Sequence, residues 1–254
     1  MSDFSIIQAV DAAEQVARRL GLGGVEASPL SVSDHVALFL PSAPAVARIK
    51  PAAAEAEMRR EIDLVAYLYD KGAPVVPPLT GPYVEQAFVM SFWRWVPHRL
   101  ADPDHADHRR LAVEALRHVH HASSGYPLPL PSLEEKVEAC RALLRSAPLP
   151  TLSNADRLFL LEVGEEFRGQ TEGECRLHGD AGFHNLFITS TGALWNDFTS
   201  ACRGPRGWDE AALGIDHSLS RLRSFCVSVW CWNLADDPAK RAAADYHLNL
   251  LKGI

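Results

Sequence analysis

The segment AVARIKPAAAEAEMRREIDLVAYLYDKGAPVV, residues 45 to 76, constrains the fold more than any other part of the chain. Its first six residues form a β-rich run that follows another, HVALFLP (35–41), across the turn-forming SAP, and two such runs predict an antiparallel hairpin. Side chains alternate across a strand, so Val46, Arg48 and Lys50 share one face, and that face carries two cations. The helix expected next, over residues 52 to 69, sets Met58, Ile62, Val65 and Tyr69 along one stripe. The 3.6-residue period places Glu61 on the same arc. An acid there needs either water at the edge of the stripe or a cation, and Arg48 and Lys50 are the cations that the preceding strand offers.

Around this unit the chain changes character. Before it, FSIIQAVDAAEQVARRLGLGG (4–24) predicts a helix with Ile6, Val10, Ala13, Val16, Ala17 and Leu20 on one face and Gly21 as its stop. Gly21, Gly23 and Gly24 follow a helix and miss the G-x-G-x-x-G spacing, so they read as a cap and not as a phosphate loop. After it, KGAPVVPPLTGP (71–82) breaks the helix and YVEQAFVMSFWRW (83–95) predicts one or two strands, ending in a connector at Pro97. A lobe boundary near residue 95 is expected, giving an N-terminal lobe of residues 1–95 and a mainly helical C-terminal lobe of residues 96–254. In that second part Leu111, Ala112, Ala115, Leu116 and Val119 share a helix face, and Ser132 marks another helix start. His105, His108, His118, His120 and His121 lack an acidic or thiol complement at metal-ligand spacing and read as solvated or locally hydrogen-bonded.

Charge narrows the partners. With 25 Lys and Arg against 32 Asp and Glu the formal charge is −7, which leaves no electrostatic footprint for nucleic acid and favours cationic small molecules. Five cysteines without a CxxC pair fit free thiols in a reducing compartment. The start MSDFSIIQAV does not read as a signal peptide and no run nears 18 apolar residues, so a cytoplasmic protein without membrane contact is expected.

The chemistry concentrates in RLHGDAGFHNLFI (176–188) and ALWNDF (193–198). LFI and ALW are strand-like and TSTG is a turn, so a hairpin should return the chain toward its start and bring Asp180 and Asn185 near Asp197. Two carboxylates and an amide suit a divalent cation and a hydroxyl. Mg2+ takes oxygen ligands, commonly one or two carboxylates plus substrate phosphates, a role open to Asp197 and Asn185. Asp180 is then left to act as the base.

H-G-D-x-x-x-x-N at His178, Gly179, Asp180 and Asn185, the D-F pair Asp197–Phe198 and the following GPRGWDEAAL together resemble the aminoglycoside phosphotransferases and related small-molecule kinases. The resemblance implies an α+β, bilobal, protein-kinase-like fold with a small antiparallel-sheet lobe and a larger helical one. It implies that Asp180 orients the acceptor hydroxyl or takes its proton, and that Asn185 and Asp197 bind Mg2+. It implies a nucleotide site for ATP or GTP in which Arg48 or Lys50 holds the phosphates, with Arg48 preferred, and in which Glu61 is the partner of that cation. The hinge facing the base is expected at Met90, Ser91, Phe92 and Trp93, with LSVSDH (30–35) standing where a glycine-rich loop would cover the phosphates. Thr199 and Asn196 depart from the family, which usually has another acid after the D-F pair and an apolar residue before it. His178 is read as a structural residue and Asp209 as a helix cap.

The function expected is transfer of the γ-phosphate of ATP or GTP to a hydroxyl of a small molecule, with aminoglycosides and other antibiotics among the candidates. The alternative is a catalytically inactive nucleotide-binding module, which predicts damage at Asp180, Asn185 or Asp197. A protein kinase is disfavoured because only eleven residues, 198 to 208, separate Asp197 from Asp209, too few for a peptide-docking segment. Asp216, Asp236, Asp237 and Asp245 are candidate acceptor contacts or plain solvated acids. Phe225, Trp230 and Trp232 are candidate stacking residues or core.

Overall fold

The structure is a computed structural model and describes residues 3–22, 27–32, 35–146, 149 and 151–254. Gly23, Gly24 and, of the LSVSDH segment, Ser33 and Asp34 lie outside the described residues. In chain order the first half runs α1 (Asp3–Arg19), β1 (Ser28–Val32), β2 (Val36–Leu40), β3 (Ala45–Pro51), α2 (Glu55–Asp70), β4 (Pro78–Glu85), β5 (Phe88–Arg94), β6 (Arg99–Leu100) and α3 (Ala106–Ser123). The second half runs α4 (Leu133–Ser146), α5 (Asn154–Glu165), β7 (Cys175–Leu177), β8 (Leu186–Thr189), β9 (Gly192–Trp195), β10 (Cys202–Gly204), α6 (Gly207–Ala212), α7 (Ser220–Trp232) and α8 (Pro238–Lys252).

Two compact units result, residues 1–126 with 183–199, and residues 127–182 with 200–254. Compactness therefore divides the chain elsewhere than at residue 95, because β6 pairs with β8 and draws the segment after the connector into the first unit.

In the first unit an antiparallel sheet in the order β1-β2-β3-β5-β4 carries the core. α1 packs on it through Ala9, Ala12, Ala13, Val16 and Ala17, a stripe rotated from the expected one toward alanines. Small side chains let the helix approach the strands closely, and Ile6, Val10 and Leu20 are left at the margin. β1 was not expected as a strand. All five of its residues are exposed, so it shows no inside-outside alternation, and its structure comes from pairing with β2. On α2 the buried face is Met58, Glu61, Ile62, Leu64, Val65 and Leu68, while Tyr69, expected inside, is 46 % exposed. His108 and His120 are buried and not solvated, and His108 is locally hydrogen-bonded, its Nδ1 accepting the Asp102 N–H at 3.0 Å.

The second unit is helical apart from the short β7–β10 pair. α4 starts with a reciprocal capping box: the Ser132 N–H donates to Glu135 Oε2 at 3.2 Å and the Glu135 N–H to Ser132 Oγ at 3.1 Å. Phe225 and Trp232 belong to its core and Trp230 packs against it, which settles them as packing residues. Asp237 caps α8 and Asp245 pairs with Arg241 on the same helix. All five cysteines are free thiols, and no described helix is long and apolar enough to cross a membrane.

Arg141 of α4, 1 % exposed, donates from Nε and Nη2 to the Gly164 carbonyl at 3.1 and 2.8 Å. That carbonyl is one of the last four of α5, which have no partner within the helix. Glu134 and Glu138 balance the guanidinium charge. Arg141→Met should therefore cost about 2–4 kcal/mol in urea unfolding, the loss of charged hydrogen bonds to a buried carbonyl. An unchanged midpoint would remove Arg141 from the stabilising core.

Candidate functional site

Within the first unit the site is assembled around one guanidinium. β3 is an interior strand, with Arg48 opposite Ala37 of β2 and Ser91 of β5. Arg48 Nη1 donates to Glu61 Oε1 at 2.7 Å and Nη2 to Asn196 Oδ1 at 2.5 Å, and its guanidinium lies 4.7 Å from the centre of the Trp93 ring. Three hydrogen-bonding or stacking partners thus come from α2, β5 and the segment after β9. Glu61, 3 % exposed, also accepts the Phe198 N–H at 2.9 Å through the same oxygen. Burial pushes its carboxyl above the usual carboxylate range; Arg48 opposes that most strongly, and the charge of Asp197 adds to it. Lys50 instead reaches Glu57 at 2.7 Å, toward the margin of α2. Arg48, not Lys50, is the direct partner of Glu61.

The β8–β9 hairpin positions the oxygen donors. Its ladder ends at Leu186 opposite Trp195, after which the Asn196 N–H donates to the Asn185 carbonyl at 2.9 Å. Asn185 and Asp197 therefore stand just beyond the last rung, on opposite arms. Trp195, fully buried, exchanges backbone hydrogen bonds with Pro74 and Val76 and holds the hairpin against the segment after α2. Asp197 has φ +62, the left-handed region that costs a non-glycine residue about 1–3 kcal/mol. Thr199 helps hold it there, its hydroxyl donating to Asp197 Oδ1 at 2.7 Å. The residue that replaces the family's usual acid thus orients the carboxylate before it. A carboxylate and an amide as neighbouring oxygen donors fit a hard divalent cation.

Arg48, Trp93, Asn196 and Asp197 border a cavity of about 410 Å3 in the same unit. It is lined by Leu30, Ser31, His35 and Ala37 of the β1–β2 segment, by the cation Arg48, and by His184, Phe187, Asn196 and Asp197. Of the expected hinge only Trp93 faces it; Arg94, Trp95 and Val96 continue the lining. Met90 and Phe92 lie inside the sheet with ladder partners on both β3 and β4, and Ser91 pairs with Arg48 of β3 opposite a break in the β4 register. The strand ends within the stretch expected for it, and the cavity lining continues past it along the connector.

The second unit holds the H-G-D loop. His178 and Asp209 are both fully buried, and the Asp209 carboxylate accepts the His178 N–H at 2.8 Å and the Gly179 N–H at 2.9 Å. Asp209 is accordingly no helix cap; it anchors the loop from inside the first turn of α6. His178 has the structural part expected of it, with Nδ1 accepting the Asp180 N–H at 3.3 Å. Gly179 has φ +85, and a Cβ there would lie 1.8 Å from the Ser200 carbonyl oxygen, so no other residue fits. Trp208 Nε1 donates to the Gly179 carbonyl at 2.8 Å. Asp180 accepts Arg223 Nη2 at 2.8 Å, a partner 43 residues away. Arg223 was missed because its only sequence signal is a cation within the apolar run of α7. Asp180 lies in the second unit and Asn185 and Asp197 in the first, the chain passing between the units at Gly182–Phe183.

The model of the phosphotransferase enzyme family, APH, matches residues 31–247. No curated protein sequence matches the chain. Among solved structures, the aminoglycoside phosphotransferase APH(3'')-Id of Streptomyces rimosus in complex with ADP and streptomycin is similar at TM-score 0.64 and 18% identity, over 98% of this chain and 98% of that one. The amicoumacin kinase hAmiN in complex with AMP-PNP, Ca2+ and Ami is similar at TM-score 0.70 and 12% identity, over 98% and 96%. A choline/ethanolamine kinase family protein from Mesorhizobium loti is similar at TM-score 0.65 and 15% identity, over 98% and 94%. At these identities the structures show a shared fold.

The Arg48–Glu61 contact predicts strong coupling. Removing one partner leaves the other charged and buried, so Arg48→Met and Glu61→Gln should each cost about 3 kcal/mol of stability, and the double variant clearly less than the sum. Chemical denaturation of the four proteins measures it. The matching cycle with Lys50→Met should show clearly smaller coupling, since Lys50 ion-pairs with Glu57 and acts on Glu61 through its charge and not through a hydrogen bond. Equal coupling in the two cycles would reverse the assignment.

Proposed function

Because the chain belongs to the phosphotransferase enzyme family, with 217 of its residues (31–247) matched, we propose that it transfers the γ-phosphate of ATP or GTP, with Mg2+, to a hydroxyl of a small molecule. The observation that carries this reading is the guanidinium–carboxylate–backbone link from Arg48 through Glu61 to the Phe198 N–H. It fixes a cation at the cavity wall and holds the backbone beside Asp197.

In this reading the cavity of the first unit takes the nucleotide, with the base along Trp93 to Val96 and the phosphates toward Arg48. Residues 1–95 are the nucleotide lobe in the functional sense, and Lys50 adds a longer-range positive field. Asn185 and Asp197 would hold the divalent cation, which would neutralise charge on the phosphate oxygens. Asp180 orients the acceptor hydroxyl. The hydroxyl oxygen forms a bond to the γ-phosphorus, the bond to the β–γ bridging oxygen breaks to release the nucleoside diphosphate, and the hydroxyl proton passes to Asp180 and then to solvent. Phosphoryl transfer depends mainly on such positioning and charge neutralisation. Streptomycin and Ami in the similar structures support a small acceptor of antibiotic or metabolite size, and a cytoplasmic setting suits the free thiols. The inactive-module alternative lacks the damage that it requires, since Asp180, Asn185 and Asp197 are all present.

Asp180→Asn should keep nucleotide binding within about threefold and lower turnover by roughly 100-fold or more, the usual contribution of a positioned base. Nucleoside diphosphate release over a panel of aminoglycosides, other ribosome-binding antibiotics, amino alcohols and sugars finds the acceptor and measures the loss. More than about a tenth of the wild-type rate in the variant would remove Asp180 from this role. Asp197→Ala should abolish the Mg2+ dependence of nucleotide binding in calorimetry, and an undiminished dependence would place the metal ligands elsewhere.

A further inference from the structure

Two prolines shape the hydrogen-bonding pattern of the backbone that borders the cavity at the end of β5. The Arg94 N–H donates to the Pro77 carbonyl at 3.1 Å, and the Trp95 N–H donates to the Pro44 carbonyl at 2.9 Å. Both contacts continue antiparallel ladders, in which such a residue pair exchanges two bonds, but proline has no N–H to return. The Arg94 carbonyl is therefore left without its ladder donor. Backbone groups alternate sides along an extended chain, so Val96 turns its N–H to the same side as Arg94, and its place before Pro97 favours that extended form. The Val96 N–H meets no carbonyl among the described residues.

The Val96 carbonyl, in contrast, is taken. His98 Nδ1 lies 2.7 Å from it, and since a carbonyl oxygen only accepts, Nδ1 carries the proton and donates. The imidazole is clamped: it stacks on Phe187 with centroids 3.6 Å apart and planes 13° from parallel, and the Trp95 ring stands 5.5 Å away. β6 begins at the next residue, and its pairing of Leu100 with Phe187 of β8 sets His98 beside that ring. Arg94, Val96, His98 and Phe187 all line the cavity. The edge thus offers an open acceptor at Arg94, an open donor at Val96 and a second acceptor that is already engaged.

We propose that His98 selects the nucleobase, admitting adenine and rejecting guanine by occupying the Val96 carbonyl. The proposal rests on the reading of this cavity as the nucleotide site. Adenine presents a 6-amino donor beside its N1 acceptor, the complement of the Arg94 carbonyl and the Val96 N–H. Guanine presents a 6-oxo acceptor beside an N1–H donor. In the place of adenine, its oxo group would face the Arg94 carbonyl, acceptor against acceptor. Shifted by one group, the oxo oxygen accepts the Val96 N–H, but N1–H then needs the Val96 carbonyl. That oxygen has a second lone pair, yet a donor reaching it must share the approach with a ring that Phe187 holds in place. A donor desolvated without an acceptor weakens binding by roughly tenfold to a hundredfold.

Calorimetry with MgADP and MgGDP on the wild type and on His98→Ala tests it. The wild type is expected to bind ADP at least about 30-fold more tightly than GDP, and His98→Ala to gain about tenfold in GDP affinity while its ADP affinity stays within about threefold. No preference for ADP in the wild type overturns the proposal, and so does the same ADP-to-GDP ratio in both proteins, including a variant weakened equally for the two. A second measurement needs no variant. In wild-type protein with isotope-labelled histidine, the ring nitrogens of His98, assigned by contact with Phe187, are expected to report the Nδ1–H form with MgADP bound; the Nε2–H form overturns the proposal. A wild type that binds neither nucleotide removes the nucleotide site and the proposal together, whereas ADP binding with an unchanged ratio removes the role of His98 alone.

Discussion

One carboxylate oxygen holds the first unit's site together. Glu61 Oε1 accepts both the Arg48 guanidinium and the Phe198 N–H, so an interior strand, a helix and the segment after a distant hairpin share a single acceptor. Burying an acid is unfavourable by itself, and the attraction of Arg48 together with two donated hydrogen bonds offsets part of that cost. Arg48 in turn reaches Asn196, the residue just before Asp197. The polar atom that breaks the family's apolar pattern at that position therefore adds a second tie between β3 and the hairpin end.

Conformational strain sits where those ties converge. Asp197 occupies a left-handed backbone position that a side chain with a short carboxylate tolerates better than most. On one side Phe198 is fastened to Glu61, and on the other Thr199 donates to the Asp197 carboxylate. A strained residue persists only where its surroundings over-determine it. The second unit uses the same device with different chemistry: the left-handed turn at Gly179 is held by Asp209, Trp208 and the close approach of the Ser200 carbonyl.

What could be read in the sequence was what short-range periodicity encodes. The β3–α2 pairing of two cations with one acid was legible because alternation and helical period both act within 20 residues, and the H-G-D and D-F motifs marked the loops. β1 was not legible because an exposed edge strand has no buried face to leave a pattern. The cavity lining at Arg94, Trp95 and Val96 was not legible because an aromatic strand and the aromatic segment after it look alike in composition. Arg223 was invisible because its partner lies 43 residues away, and the contact of Arg48 with Asn196 spans 148. Contacts of that length are set by tertiary packing, which leaves no local signature.

The route of the chain between the two units also has a consequence for the nascent polypeptide. Residues 183–199, which include β8, β9 and Asp197, belong to the unit built mostly from residues 1–126. A ribosome working at about 5–20 residues per second must translate the intervening stretch first, a delay of roughly three to eleven seconds. During that time α2 displays the buried acid Glu61 before the Phe198 N–H exists to bind it, and the segment after it awaits Trp195. Completion of the first unit is thus gated by translation of the first part of the second, residues 127–182, and folding of the two is interleaved in time because their segments alternate along the chain.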